Sequence, residues 1–524
     1  MNKNILFVWT NRYGFGYKPI SISILSALAK HAGFNTSLWE TSGIMLDFDT
    51  GEKTQIDINL FKDVDLKSVG IEKKRTDVMQ SFKEHFLKFN PKYLAVSVIN
   101  DERFLSGRIS ELAKTLNQDI ITIWGGKYPT IAPENVLKAY KVDYVCVGEG
   151  FDAFPELLNT IESNGDVSKI SNIGGWYNKM LFTNSVRPLK KNLDDLPYLD
   201  WDIFDPRHMY KPFDGNIVRG GDYMSNFGCP YHCTYCINHF NHDLYNNKYY
   251  IRRFSVERAV EELAYLKEKY DLNFIKFHDE DFLMRPEENF AKWSKAYKEK
   301  INLRFTIETN AISFTKTKVD LLKQMNCASV SVAIETGNQN LRRNVLRRVD
   351  SESDIINAFT LLKEVGIRAT SFNLIGFPFE TRETYNETVD INRKADVQYP
   401  NISFFFPYEG TVLRDISIKE GKFVPDLLND ENETYKNDRP TLKFEHLTEE
   451  ELIGMRRVFV LRVKLPEVYH PFVLRSEKND EIGNLLFQQL KDIFNKTVFE
   501  KDGFYDDGGY QNIYLDQLLD IYTI

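Results

Sequence analysis

Over residues 1–165 one pattern repeats: a short apolar run, then a longer stretch whose apolar positions recur every three or four residues. ILFVW (5–9), TSLW (36–39), YLAVSV (93–98), IITIW (120–124) and VDYVCV (142–147) predict strands. ISISILSALAKHA (20–32), GRISELAKTL (107–116) and FDAFPELLNTI (151–161) predict helices. Strands that alternate with helices imply a parallel sheet covered on both faces, a doubly wound, Rossmann-like domain over 1–165. Such sheets bind ligands beyond the carboxyl ends of their strands. That rim carries Gly14 and Gly16 in NRYGFGYKP, Ser97, Gly125 and Gly126 in GGKYPT, and Gly148, Glu149 and Gly150 in GEG. Glycine turns on one rim let a large ligand approach the backbone, although glycines also simply close tight turns.

Residues 166–215 mix short strand-like pieces with Pro, Asp and Gly and read as a linker. A second alternation follows, with strand candidates YMSNF (223–227), NFIKFH (273–278), RFTIE (304–308), ASVSVAI (328–334), ATSFNLI (369–375) and ISFFF (402–406). The clearest helix between them is VERAVEELAYLKEKY (256–270). Six such units are too few for a closed eightfold barrel, so residues 216–415 predict a partial (β/α)6 barrel with its site at the strands' carboxyl ends. Residues 416–524 predict a mostly helical extension around TEEELIGMRRVFVLRV (448–463). Its aromatic residues Phe444, Tyr469, Phe472, Phe504, Tyr505 and Tyr510 are expected to close the barrel mouth.

Composition narrows the class. At 524 residues, with 42% hydrophobic and 27% charged residues, the chain reads as globular with several domains. A net charge of −8 gives no footprint for duplex nucleic acid. No cleavable leader and no apolar run of about 18 residues is evident, so the expectation is a cytoplasmic protein without a membrane span.

Three of the five cysteines, Cys229, Cys233 and Cys236, lie in SNFGCPYHCTYCIN (225–238). Zinc, with His239 as a fourth ligand, is one reading. An iron–sulfur cubane with three protein ligands is another, because three thiolates saturate three irons and leave the fourth open. Cys146 lies in an apolar strand and Cys327 just before one, so both are expected in the core and neither supports a second cluster.

The spacing Cys229-x3-Cys233-x2-Cys236, with Tyr235 before the third cysteine, resembles the radical S-adenosylmethionine enzymes. So do FHDEDF (277–282), SVAIETGNQ (331–339), NLIGFPFET (373–381) and FFFPYEGT (404–411), extending the likeness over about 222–415. The resemblance implies a [4Fe-4S] cluster on the three cysteines, its open iron chelated by the amino and carboxylate groups of S-adenosylmethionine. It places Glu280 at the methionine ammonium, with Asp279 the fallback, Glu335 at the ribose hydroxyls and Gly376 in the segment that backs the adenine. One departure is Phe379, where this subgroup usually has glycine.

The first domain, with the LDDLPYLDWDIF segment (193–204), is similar to the cobalamin-binding domain that precedes many such barrels. That similarity implies cobalamin held by the rim residues Gly14, Gly16, Ser97, Gly125, Gly126, Gly148, Glu149 and Gly150. Neither His31 nor His85 lies in an Asp-x-His-x-x-Gly motif, so cobalt is expected to lack a protein histidine. The family reading implies methyl transfer to an unactivated carbon or phosphorus, the alternative being a cobalamin-containing cyclase, rearrangement or oxidation enzyme. It implies as partners a small-molecule or peptide substrate of unknown identity and an electron donor such as flavodoxin or ferredoxin.

Overall fold

The computed structural model describes residues 2–46, 56–58, 64–246, 250–424, 439–499 and 514–522. The first sheet contains β1 (Asn4–Trp9), β2 (Asn35–Glu40), β3 (Tyr93–Ser97), β4 (Ile121–Gly125), β5 (Tyr144–Cys146), β6 (Ile173–Tyr177) and β7 (Met180–Thr183), in the order β2-β1-β3-β4-β5-β6-β7. The first five are parallel, and β6 and β7 add antiparallel at one edge. Alternation along each strand divides the core. Leu6 and Val8 pack against α2 (Val78–Phe89) and α3 (Arg103–Leu116) through Phe82 and Ile109. Phe7 and Ala95 face α1 (Ile20–His31) and α4 (Ala153–Glu162) through Ile22 and Phe154. The doubly wound expectation is therefore met.

The second sheet comprises β8 (Tyr210–Phe213), β9 (Asn216–Tyr223), β12 (Phe274–Phe277), β13 (Arg304–Asn310), β14 (Cys327–Glu335), β15 (Arg368–Ile375) and β16 (Tyr399–Phe404); β10 (Asn226–Phe227) and β11 (Arg252–Arg253) form a separate ribbon. The strands from β9 to β16 are parallel neighbours and β8 joins antiparallel beside β9. The order β16-β15-β14-β13-β12-β9-β8 leaves the barrel open, a six-unit partial barrel as expected. Its first strand is Asn216–Tyr223, earlier than the YMSNF run suggested. The apolar pattern there is interrupted by Gly220 and Gly221, which the packing requires: a Cβ on Gly221 would stand 2.5 Å from Trp201, and one on Gly220 2.8 Å from Lys211.

The outer layer of the barrel is built by α5 (Ile237–Leu244), α6 (Val256–Tyr270), α7 (Glu287–Lys300), α8 (Lys316–Gln324), α9 (Glu352–Glu364), α10 (Arg382–Lys394) and α11 (Val412–Lys419). α6 starts at Ser255, whose side chain accepts from Arg258 N–H, and buries Val256, Val260, Leu263 and Leu266 on one stripe. In the C-terminal extension, α12 (Glu449–Lys464) opens with a capping box of Thr448 and Glu451. It packs against β16 and α10, where Tyr385 donates to Met455 O at 2.6 Å. Tyr469 and Phe472 are buried with Leu486 and Leu490 of α14 (Glu481–Phe494), which follows α13 (His470–Arg475). Phe444 packs beside Leu442 and Phe423. The extension thus covers the outer side of the barrel at β16, where apolar surface needs a partner. Phe504, Tyr505 and Tyr510 lie outside the described residues. Among the described residues no helix is long and apolar enough to cross a membrane.

Candidate cofactor site

The cysteine loop leaves β10 at Gly228, whose φ of 89° and closeness to Tyr250 O admit no side chain. Cys229 and Cys233 are buried and Cys236 is half-buried at the N-cap of α5. Cys236 N–H donates to Cys233 O at 3.1 Å, and His242 Nε2 lies 2.7 Å from Cys229 O. Thr234 anchors the middle: its N–H donates to Leu346 O (3.1 Å), its hydroxyl to Val345 O (2.6 Å), and its carbonyl accepts from Leu413 N–H (2.9 Å). Burial pushes all three thiols up, Cys236 to about 12, so iron binding must displace their protons.

The donor set fits a cluster better than a single ion. Among the described residues no three His, Cys, Asp or Glu side chains gather where one ion could sit. His239, the fourth ligand of the zinc reading, instead has Nδ1 3.3 Å from His232 O and Nε2 3.7 Å from Asp243. A cubane bonds each thiolate to a different iron, so its cysteines stand further apart than ligands of one ion.

The two acidic residues after β12 have opposite surroundings. Asp279 is buried, accepts from Ser225 N–H (3.2 Å), Ser225 Oγ (2.6 Å) and Asn226 N–H (2.7 Å), and faces Arg285 at 3.5 Å. Its lone pairs are committed to fixing the strand that leads into the cysteine loop. Glu280 is exposed and takes one hydrogen bond, from the amide of Asn238, two residues past Cys236; Tyr250 in turn donates to Asn238.

Glu335 ends β14 in the left-handed region at φ 64° and is buried. Tyr235 donates to it at 3.0 Å; Arg348 donates to the Tyr235 oxygen at 3.1 Å and pairs with Asp350 at 2.9 Å. Burial raises the Glu335 carboxyl, against the pull of Arg348. A cysteine-loop residue is thereby tied to the predicted ribose carboxylate. Strain of this kind, about 1–3 kcal/mol, concentrates at functional sites. Gly376 turns out of β15 at φ 80° and donates its N–H to Glu380. Glu380 is buried, its other oxygen has no partner among the described residues, and burial lifts it to about 8. Phe379, where glycine was expected, has the left-handed φ of 68° that glycine would favour.

In the first domain a cavity of about 260 Å³ opens at the carboxyl ends of the strands. Ser97, Gly125, Gly126, Gly148, Glu149 and Gly150 all line it, against an apolar wall that includes Leu25, Cys146 and Phe154. A Cβ on Gly126 would lie 2.7 Å from Val98 O at a φ of 105°. Apolar walls with a glycine rim fit an apolar ring system whose polar edge meets backbone. The structure does not bring Gly14 and Gly16 to this cavity. Gly14 O accepts from Asn11 at 2.6 Å and Gly16 O from Lys211, so this turn holds the loop after β1 against the barrel.

Several residues here escaped the sequence reading. Asp222, near the end of β9, is met by Lys211 at 2.7 Å, His278 at 2.8 Å and Lys18 of the first domain at 3.3 Å, all largely buried. Burial brings Lys18 down to about 7, while the lysines hold Asp222 well below the usual carboxylate range. Only pairing across the domains makes these charges a unit, and no local motif marks them. Tyr245, the C-cap of α5, and Arg252 of β11 both reach the GEG turn.

Two family models match the chain: B12 binding domain over residues 8–158 and Radical SAM superfamily over residues 223–391. An uncharacterized methyltransferase of Pyrococcus horikoshii is 25% identical over 397 residues, covering 74% of this chain and 83% of that protein. An anaerobic magnesium-protoporphyrin IX monomethyl ester cyclase of Rubrivivax gelatinosus is 22% identical, covering 80% and 74%. Among solved structures, the cobalamin-dependent S-adenosylmethionine radical enzyme OxsB, with aqua-cobalamin and S-adenosylmethionine bound, covers 100% of this chain and 76% of its own at a TM-score of 0.64 and 14% identity, a likeness of fold.

Proposed function

Since this chain belongs to the cobalamin-binding radical S-adenosylmethionine enzymes, we propose that it transfers a methyl group from S-adenosylmethionine to an unactivated carbon, or to phosphorus, of a small-molecule or peptide substrate. The adjacency of the two cofactor regions carries this reading. The helix that begins at Cys236 ends at Tyr245, whose hydroxyl oxygen accepts from Glu149 N–H at 2.7 Å on the rim of the first-domain cavity. When bound, the [4Fe-4S] cluster supplies the electron that cleaves S-adenosylmethionine to a radical, and cobalamin supplies a methyl carrier.

The protein's own part is to hold and orient. Cys229, Cys233 and Cys236 hold the cluster. Glu280 accepts from the methionine ammonium, a charge-assisted bond open to it because one oxygen is free of the Asn238 amide. Glu335, fixed by Tyr235, turns its second oxygen to the ribose hydroxyls. Gly376 keeps the end of β15 free of a side chain where the adenine lies. Ser97, Gly125, Gly126, Gly148, Glu149 and Gly150 hold cobalamin in the first domain. A low-potential carrier such as flavodoxin or ferredoxin supplies electrons, in the cytoplasm.

The likeness to the Rubrivivax cyclase favours a second reading, ring formation or oxidation with the same cofactors and no methyl transfer. Product stoichiometry separates them. The reconstituted enzyme is given methyl-deuterated S-adenosylmethionine and a small-molecule extract without oxygen. Equal S-adenosylhomocysteine and 5′-deoxyadenosine, with label in one new product, support methyl transfer; deoxyadenosine alone supports the cyclase reading.

A further inference from the structure

The three-residue turn Gly148–Gly150 is gripped from both flanks of the cysteine loop. On the downstream flank, α5 runs between its caps Cys236 and Tyr245, and the Tyr245 hydroxyl fills the space a Cβ on Gly148 would need while accepting from Glu149 N–H at 2.7 Å. On the upstream flank, β10 enters the loop and pairs with β11 through Phe227 and Arg252. Arg252 reaches the Glu149 carboxylate at 2.8 Å and donates to Lys190 O at 2.9 Å, while Lys190 N–H donates to the same carboxylate at 3.0 Å. Arg252 is buried. Gly148, Glu149 and Gly150 all line the first-domain cavity, whereas Tyr245 and Arg252 do not.

We propose that this turn couples the two cofactor sites: Tyr245 and Arg252 are positioning residues through which a filled cysteine loop shapes the cobalamin cavity. The loop is short, and it is flanked directly by the β10–β11 ribbon and by α5. Fixing the three cysteines on a cluster sets the start of α5 and the end of β10, and hence the placing of Tyr245 and Arg252 against Glu149. Coupling of this kind is reciprocal, so cobalamin in the cavity stabilises the loop in its cluster-holding form. The inference rests on both cofactors binding as described above, and is independent of whether a methyl group is transferred.

The test uses the full chain and hydroxocobalamin as the probe. Its dissociation constant is measured anaerobically by equilibrium dialysis for cluster-loaded protein and for the same protein stripped of iron by a chelator. Binding about tenfold tighter with the cluster is expected. Tyr245→Phe, which keeps the ring and removes the acceptor, and Arg252→Gln should each bring that ratio towards one. A purely structural role would lower both affinities and leave the ratio alone. As a second measure on the unmodified chain, hydroxocobalamin should slow loss of iron to the chelator. Equal affinities with and without the cluster, or unchanged iron loss, overturn the coupling while leaving cobalamin binding intact. A ratio preserved in both variants overturns the assignment to these residues. Failure of both forms to bind cobalamin overturns the coupling together with the reading of the first domain.

Discussion

Asp279 and Glu280 are adjacent carboxylates whose surroundings predict opposite outcomes when each is made an amide. In Asp279→Asn the charge facing Arg285 is lost, and the amide N–H₂ group is set against one of the two backbone donors, Ser225 N–H (3.2 Å) or Asn226 N–H (2.7 Å). Arg285 is buried, so its guanidinium is left without a counter-charge. Breaking a buried pair in this way costs about 3–5 kcal/mol, and the 3.5 Å separation puts the cost at the lower end. Glu280→Gln alters an exposed side chain, for which stability changes stay within about 0.5 kcal/mol. It removes the charge that would meet the methionine ammonium, about 1.5–3 kcal/mol of binding, or about 10- to 150-fold in Kd. Denaturant unfolding and anaerobic equilibrium dialysis of S-adenosylmethionine with cluster-loaded protein read the two effects separately. Glu280→Gln that keeps full affinity, or Asp279→Asn that unfolds like the parent and loses S-adenosylmethionine, would refute the assignment.

Gly126→Ala should destabilise the first domain by about 1–3 kcal/mol and abolish cobalamin retention after desalting, because its Cβ meets Val98 O at 2.7 Å; full retention would remove the glycine rim from the site. Phe379→Gly should raise Tm by relieving up to about 1 kcal/mol of left-handed strain, since the ring is 43% exposed and little packing is lost; a lower Tm would show that the ring does structural work. Glu380, lifted to about 8 by burial, holds its proton in the folded state. Between about 4.5 and about 8 the folded protein therefore binds more protons than the unfolded chain, and stability falls as pH rises through that window, by up to about 1.4 kcal/mol per pH unit. Glu380→Gln should remove that slope in Tm measured against pH, and an unchanged slope would contradict it.

Much of this was legible because it is local. α6 was predicted at its observed bounds, since its apolar stripe lies within the segment. β1 and β3 were legible because each is buried on both faces and mostly apolar. What was missed depends on distant partners. β9 was displaced because Gly220 and Gly221, required by Lys211 and Trp201, break its pattern. β6 and β7 looked like linker because they form the edge of the sheet and stay partly exposed. Gly14 and Gly16 were grouped with the cavity glycines because they follow β1 on the same rim, whereas contacts with Asn11 and Lys211 decide their place. Asp222, Tyr245 and Arg252 carry no motif, and their roles exist only once the two domains are packed together.

The account's central claim is that one chain holds both a cluster on Cys229, Cys233 and Cys236 and cobalamin in the first-domain cavity. Metal analysis of the full chain tests it most directly, after anaerobic reconstitution with iron, sulfide and hydroxocobalamin and removal of unbound material. The account predicts about four irons per chain with stoichiometric cobalt, and loss of iron when the three cysteines are changed to serine. Four irons with no retained cobalt would contradict it, leaving the radical barrel without its methyl carrier.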